Sequence, residues 1–336
     1  MSSDTEQAGN PGRGPGRRSV LAAIAAGGAL AGGIRPAAAQ EYPSRSVRVI
    51  VPFVVGGGPD NTARVIADAL GKDLGQRFFV DNVAGAGTLV GTTAAARARP
   101  DGHTLLLASN SLALIPSLRR NLPYDTVRDL RSVGMVVRQP IALAVHPSVA
   151  SSLPELLALA RARPGQINYA SSGAGTGNHL FTEQFLKMAG IRMEHVPYQG
   201  TGGAFTDLLA NRVQMIITTA SSLFGYFQSG QLRGLGVGEL EEIAQLPGIP
   251  PIASAVPGFN ETSWNGIVVP TGTPPEIIAR LNQSITKALG DADLRATFER
   301  NGAIPWSMTP DQCDAFIAGE ITKWREVIEM TGLRVE

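Results

Sequence analysis

The stretch VRVIVPFVVGGG, residues 47–58, decides the fold class of this chain. Its apolar run predicts a buried strand, and the three glycines predict a tight turn after it. A helix pattern follows at once, in which Ala63, Ile66 and Leu70 share one face and Asp60 is placed to cap the first turn. Strand, glycine turn and helix in this order begin a β-α-β unit.

The same order of elements recurs up to residue 107, and a second series begins near residue 141. Nearly continuous apolar strands are typical of parallel sheets covered on both faces. We therefore predict an α/β fold of two lobes, each a mostly parallel sheet flanked by helices. Lobe 1 would comprise residues 40–140 plus 260–336, and lobe 2, residues 141–259, would be inserted into it. The chain would cross between the lobes near 137–141 and 257–264, with the ligand cleft between them.

Residues 1–39 have the pattern of a signal peptide. The arginine pair at 17–18 precedes an uncharged apolar run at 20–30, and alanines 37–39 precede Gln40. The apolar run is too short to span a bilayer, which needs roughly 20 residues. Paired arginines are typical of a twin-arginine leader, with Sec export as the alternative. We expect a periplasmic protein cleaved near Ala39.

Composition excludes several classes of protein. Among 336 residues, Lys and Arg total 29 and Asp and Glu total 28, so the net charge of +1 does not suit nucleic-acid binding.

The single cysteine, Cys313, cannot form an intrachain disulfide. The four histidines lack metal-ligand spacing, and we expect neither a metal nor a cofactor. The acidic patch of Glu239, Glu241 and Glu242 is expected to be solvated surface and not a pair of catalytic carboxylates.

Three glycine-rich loops, at 56–60, 82–91 and 171–179, follow predicted strands and precede predicted helices. Glycines and small hydroxyls at a helix start present N–H donors that suit an anionic group such as a carboxylate. Asn61 stands where a dinucleotide-binding loop needs its third glycine, and the chain has no Gly-x-Ser-x-Gly hydrolase motif. His179 is expected to pack or to cap a helix. These loops favour binding over catalysis.

Together these motifs resemble the Bug family, the receptors of tripartite tricarboxylate transporters. The resemblance spans residue 42 to the C-terminus and rests on the order and spacing of loose motifs. They are VPF at 51–53 with glycines 56 and 57, DN at 81–82 with GAG at 85–87, PDGHTLL at 100–106, YASSG at 169–173, HL at 179–180, HVPY at 195–198 with glycine 200, DLL at 207–209, and VP at 269–270 with GTP at 272–274.

The resemblance implies a type II-like periplasmic binding protein, expected to be a monomer, that closes on a small carboxylate or related amide. It would deliver that ligand to a membrane permease. Carried over by motif, the binding residues would be Phe53, Gly57, Asp60, Thr88 and Ser109 on one lobe, and Ser172, Gly173, Thr176, Gly177, Asn178, Tyr198, Thr201 and Thr218 on the other.

Two positions depart from the family pattern. Gln199 stands where Lys or Arg is frequent, and Gln214 where Asp is frequent. Neutral residues there indicate either a less charged ligand or a change at the surface. An exported enzyme acting on a small organic acid, and a sensor that presents its closed form to a signalling partner, are the alternative functions.

Overall fold

The computed structural model describes residues 42–119 and 121–331, without the side chains of 330 and 331. The strands in this part of the chain are β1 Val47–Val51, β2 Phe78–Asn82, β3 Thr104–Ser109, β4 Leu130–Val145, β5 Asn168–Ser171, β6 Glu194–Pro197, β7 Met215–Thr219, β8 Arg233–Val237, β9 Thr262–Pro270 and β10 Ile304–Pro305.

The helices are α1 Gly58–Leu74, α2 Leu89–Ala96, α3 Asn110–Leu118, α4 Thr126–Asp129, α5 Leu153–Ala162, α6 Gly177–Ala189, α7 Thr201–Leu209, α8 Phe224–Gln228, α9 Pro275–Gly290, α10 Ala292–Arg300 and α11 Pro310–Thr331. Short 3₁₀ turns lie at Ala86–Thr88, Ala220–Ser222 and Ile252–Ser254. The predicted signal peptide lies outside the described residues. Within them, none of the helices combines the length and the apolar character that a membrane span requires.

The strands form two sheets that share β4. In the first, β2, β1 and β3 run parallel, and β9 joins β3 to the first part of β4 with antiparallel pairing on both sides. In the second, β6, β5 and β7 run parallel, and the end of β4 pairs antiparallel with β7 and β8. Strand β4 changes partner between Pro140, which is paired with Thr262 of β9, and Ile141, which is paired with Thr219 of β7.

The α/β fold predicted from the sequence is confirmed, with sheets of mixed direction. The outer three strands of each sheet are parallel, whereas the central strands β4 and β9 are antiparallel to their neighbours. Both central strands are nearly continuously buried. Their apolar sequences therefore report burial on two faces, and burial alone does not reveal strand direction.

Helix α11 packs against β4, the strand that the two sheets share, and against α6. Trp324 of α11 is fully buried and lies 5.7 Å, centroid to centroid, from Phe181 of α6. Trp264 of β9 contacts Phe316 of α11 at 5.6 Å. These aromatic pairs belong to one hydrophobic cluster that includes residues of both sheets. Truncating either tryptophan to alanine would cost about 3–5 kcal/mol.

Candidate functional site

The parallel strands of each sheet lead into helix starts at their carboxyl ends. Strands β1, β2 and β3 are followed by α1, α2 and α3, and strands β5 and β6 by α6 and α7. The first N–H groups of a helix have no acceptor within the helix and carry partial positive charge. Each sheet, with its helices, is one half of the molecule, and each half therefore presents backbone N–H donors at the carboxyl ends of its parallel strands.

The two sets of loops face each other at contact distance. A Cβ placed on Gly87, in the turn before α2, would lie 3.4 Å from the carbonyl oxygen of Ala174. One placed on Gly177 would lie 3.6 Å from Cβ of Asn110, and one on Gly200 would lie 3.8 Å from a methyl of Val54. Three separate pairs of loops thus meet, and the helix starts of both halves surround one region.

Asp60 ties the first of these loops together. Its carboxylate is 1% exposed and accepts hydrogen bonds from the backbone N–H of Gly56 at 2.9 Å, from Nε of Arg64 at 3.0 Å and from Nδ2 of Asn82 at 2.9 Å. Burial opposes ionisation of Asp60, but these three hydrogen bonds outweigh it and hold its pKa below the ordinary value. Asn82 also donates to the carbonyl of Phe53 at 3.1 Å.

The prediction that Asp60 caps α1 is wrong. The N-cap is Gly57, which has no side chain to offer, and Asp60 lies inside the first turn. Its hydrogen bond to Gly56 instead closes the loop back on the helix, so the carboxylate shapes the loop. The N–H of Gly56 is thereby occupied, and the donors left for a ligand are the other backbone N–H groups at the start of α1.

The turn before α2 is strained. Ala86, Gly87 and Thr88 all have positive φ, at 46°, 65° and 81°, which costs energy for the two residues that carry a Cβ. Oγ1 of Thr88 is buried and has no hydrogen-bond partner among the described residues. A buried hydroxyl without a partner costs about 1–3 kcal/mol. Strain and an unused hydroxyl at one turn are consistent with the binding role predicted for Thr88.

Asn110 was missed by sequence reasoning. It follows Ser109 directly, at the point where β3 becomes α3. Its Oδ1 accepts from the backbone N–H of Trp264 at 3.1 Å and from Oγ of Ser263 at 3.2 Å, and its Nδ2 donates to the carbonyl of Thr262. It fixes the start of β9 beneath Gly177. Nothing in the local sequence distinguishes it from an ordinary helix-start asparagine.

The loop after β5, taken together with the first residue of α6 as residues 172–177, is organised around the side chain of Asn178. Oδ1 of Asn178 accepts from Oγ of Ser172 at 2.9 Å, from the backbone N–H of Ser172 at 3.3 Å and from Oγ1 of Thr176 at 2.7 Å. The single hydroxyl proton of Thr176 is shared between Oδ1 of Asn178 and the carbonyl oxygen of Gly173, 2.6 Å away, where φ is +135°. The hydroxyls predicted to hold a ligand are thus engaged within the loop, which leaves backbone N–H groups at the start of α6 as its free donors.

Two further predicted residues lie on the loop between β6 and α7. Thr201 begins α7 after Gly200, whose φ is +97°. The hydroxyl of Tyr198 donates to Asp207 at 2.7 Å, and burial, together with that carboxylate, raises its pKa to about 12. Thr218 is buried in β7 opposite Ala142. The thirteen predicted residues therefore lie on or beside the facing loops.

The two departures from the family pattern lie in different places. Gln199 is exposed on the loop before α7. Gln214 accepts from the backbone N–H of Asn168 at 2.9 Å and donates to the carbonyl of Asn211, which places it at the amino ends of β5 and β7. Gln214 is therefore at the edge opposite the facing loops.

Glu239 corrects the prediction of a fully solvated acidic run. Glu241 and Glu242 are exposed, but Glu239 is partly buried where β8 ends. Its Oε2 has no hydrogen-bond partner among the described residues, and burial raises its pKa to about 7, against smaller opposing effects that include a hydrogen bond with Thr262. The sequence around Glu239 cannot reveal this burial, because the groups that affect its carboxyl, Thr262 and Arg138, lie on β9 and β4.

Comparison with known proteins agrees with this geometry. Residues 62–333 match the family model described as tripartite tricarboxylate transporter family receptor. The chain belongs to this family. It is 38% identical to protein BugT of Bordetella pertussis, over 94% of this chain and 98% of that protein.

Solved structures have the same fold, among them that of periplasmic binding protein BugD, which is 29% identical with a TM-score of 0.81 over 88% of this chain and 100% of that one. Rpa4515 of Rhodopseudomonas palustris, described with adipate, is 31% identical with a TM-score of 0.82, over 87% of this chain and 99% of that one. MatC from the same organism, described with bound malate, is 27% identical with a TM-score of 0.78, over 85% of this chain and 100% of that one. The two-lobed binding-protein fold is therefore shown for this receptor.

Proposed function

We propose that this receptor binds a small carboxylate in the cleft between its facing loops and delivers it to the permease of a tripartite tricarboxylate transporter. One observation carries the proposal: helices from both halves begin at loops that contact one another, so their first N–H groups surround one region. Such N–H groups stabilise a carboxylate without a cationic side chain. Adipate and malate in the related structures are both dicarboxylates.

The proposed lobes are those of the sequence analysis, with boundaries near residues 140 and 260. Strand β4 supports the first boundary, since it leaves β9 after Pro140 and joins β7 at Ile141. Closure of two lobes on a ligand requires higher affinity for the closed form, and the permease would recognise that form. No bond is made or broken, and the ligand leaves unchanged. Export to the periplasm through the predicted leader completes the proposal.

The test is a thermal-shift titration with adipate, malate and their uncharged diamides. A ligand that binds only the folded protein stabilises it by about 2.7 kcal/mol at one hundred times its Kd. We expect a rise in Tm with at least one dicarboxylate, and we expect mass spectrometry to recover that ligand intact. Loss of the ligand with time would show an enzyme instead, and equal shifts with acids and diamides would refute recognition of the carboxylate.

Thr88→Val tests the site itself. Valine keeps the shape of threonine and removes only Oγ1, which has no partner within the described protein. Stability should not fall, whereas affinity should fall about fivefold or more, the effect of one hydrogen bond. Thr322→Val, on the exposed face of α11, is the control: it removes only a surface hydrogen bond to the carbonyl of Ala318, so stability should change by less than about 0.5 kcal/mol and affinity should stay the same. A Thr88→Val protein with unaltered affinity would remove this hydroxyl from the site.

A further inference from the structure

Three rings are stacked beneath the loop 172–177. Tyr169 and His195 are 4.9 Å apart between ring centroids, and His195 and His179 are 4.0 Å apart, with interplanar angles of 17° and 13°. Tyr169 lies on β5, His195 on β6 and His179 in the first turn of α6. The stack therefore joins the elements that hold both ends of the loop.

The hydrogen bond made by His179 defines its tautomer. The backbone N–H of Gly175 points to Nδ1 of His179 at 3.1 Å. A backbone N–H can only donate, so Nδ1 must carry a lone pair and the ring proton must be on Nε2. His179 is 3% exposed. It acts as a buried acceptor for the centre of the loop.

Ser171 defines the opposite tautomer for His195. Its hydroxyl oxygen accepts from the backbone N–H of Gly173 at 3.1 Å and lies 2.6 Å from Nε2 of His195. Ser171 is fully buried, so its hydroxyl proton needs an acceptor, and Nε2 is the one within reach among the described residues. The ring proton of His195 is then on Nδ1.

The surroundings keep both rings neutral. Burial, and then His195, lower the pKa of His179 to about 3, and burial lowers that of His195 to about 4. The hydroxyl of Tyr169 donates a hydrogen bond to Glu183, and burial, then Glu183 and the charge of Glu194, raise the pKa of Tyr169. Stacked imidazolium ions at this separation would repel each other strongly.

We propose that His179 and His195 are positioning residues that hold the loop 172–177 in its ligand-binding shape as two neutral imidazoles of opposite tautomer. His179 fixes the N–H of Gly175, and His195 fixes that of Gly173 through Ser171. With both N–H groups engaged, the loop presents the start of α6 to the ligand. That the loop binds a ligand rests on the proposed function. The positions of the ring protons rest on the geometry of the loop alone.

The decisive experiment is nitrogen NMR of the ligand-free protein, labelled with ¹⁵N in its four histidines and its glycines. We expect His179 with a proton on Nε2 only and His195 with a proton on Nδ1 only, both unchanged from pH 7.5 to pH 5.5. The same tautomer in both rings, or a charged ring at pH 6, would overturn the proposal. No ligand is needed, so the result does not depend on the proposed function.

Matched variants test the positioning role. His179→Asn keeps an acceptor at the place of Nδ1, whereas His179→Leu removes it. In the asparagine protein the amide of Gly175 should keep its protection from hydrogen exchange, and in the leucine protein its exchange should be about tenfold faster. Adipate affinity, or malate affinity if adipate does not bind, should follow the same order, with about a tenfold loss for leucine alone.

Equal protection of Gly175 in the two variants, or equal affinity, would contradict the role given to His179. If neither dicarboxylate binds the wild-type protein, the proposed function fails. The tautomers and the exchange rates would still decide the role of the histidines.

Discussion

The buried histidine pair makes the stability of the receptor depend on pH in a way that can be calculated. His179 has an ordinary pKa of 6.5 when unfolded and about 3 when folded, because burial and then His195 disfavour its charged form. The unfolded state therefore binds more protons between these values, and stability must fall as pH falls through 6.5. Above the unfolded pKa the full stability is present.

The size of the effect follows from linkage. On going from pH 7.5 to pH 5.0, the unfolded side chain becomes almost fully protonated while the folded one stays neutral. The loss for His179 alone is roughly 2 kcal/mol. Glu239, whose pKa is raised to about 7, acts in the opposite direction over this range, so wild-type stability alone does not isolate the histidine.

The assay is therefore urea unfolding of the wild-type, His179→Asn and His179→Leu proteins at both pH values. The difference in unfolding free energy between wild type and each variant should shrink by roughly 2 kcal/mol at pH 5.0. Both variants should show the same change, because both lack the titrating ring, although leucine should be less stable at each pH. A difference that does not change with pH would refute the buried neutral imidazole.

Three other perturbations test the junction between the two sheets. Glu239→Gln should raise stability at pH 8 by about 3 kcal/mol, because a pKa raised from 4.5 to about 7 means that ionising this carboxyl costs folding energy. The gain should fall below about 1 kcal/mol near pH 5 in paired urea titrations. Gly238→Ala would place Cβ 2.2 Å from the carbonyl oxygen of Glu261 and should lower the unfolding free energy by about 3 kcal/mol in urea. Gly319→Ala is its control and should not lower it, because a Cβ at Gly319 would meet open space. Lys323→Met removes the ammonium group that lies 3.0 Å from the buried carboxylate of Glu261, and it should lower the unfolding free energy by about 3–5 kcal/mol. The double variant with Glu261→Gln should regain most of this stability in the same unfolding assay, because it no longer buries an unpaired charge.

Several features of the site were visible in the sequence because they depend on local chemistry. Glycines at 56, 85, 87, 173 and 200 all adopt positive φ in the structure, as turns between strand and helix require. The position of the first four after apolar runs predicted the glycine-rich loops at 56–60, 82–91 and 171–179, and Gly200 was marked by a family motif. The family motifs predicted the binding-protein fold, and the family is confirmed.

Other features depend on residues that are distant along the chain. Asn110 bonds to residues 262–264, and the carboxylate of Asp60 bonds to Asn82. The groups that affect the carboxyl of Glu239 include Thr262 of β9 and Arg138 of β4, which are distant along the chain. No local pattern marks such partners, so the cap assigned to Asp60 and the solvated surface assigned to Glu239 were both wrong.

The sequence by itself determined the order of the strands, turns and helices up to residue 107 and of most of those after residue 141, because each depends on side chains within a few residues of one another. It did not indicate α3, the first part of β4 or β8. It also determined the family, through the spacing of its loops. Only the tertiary structure decided that the central strands run antiparallel, that the loops of the two halves meet, and that two histidines lie stacked beneath one loop. Each of these is a relation between segments that fold from separate parts of the chain, so its energy has no counterpart in any single stretch of sequence.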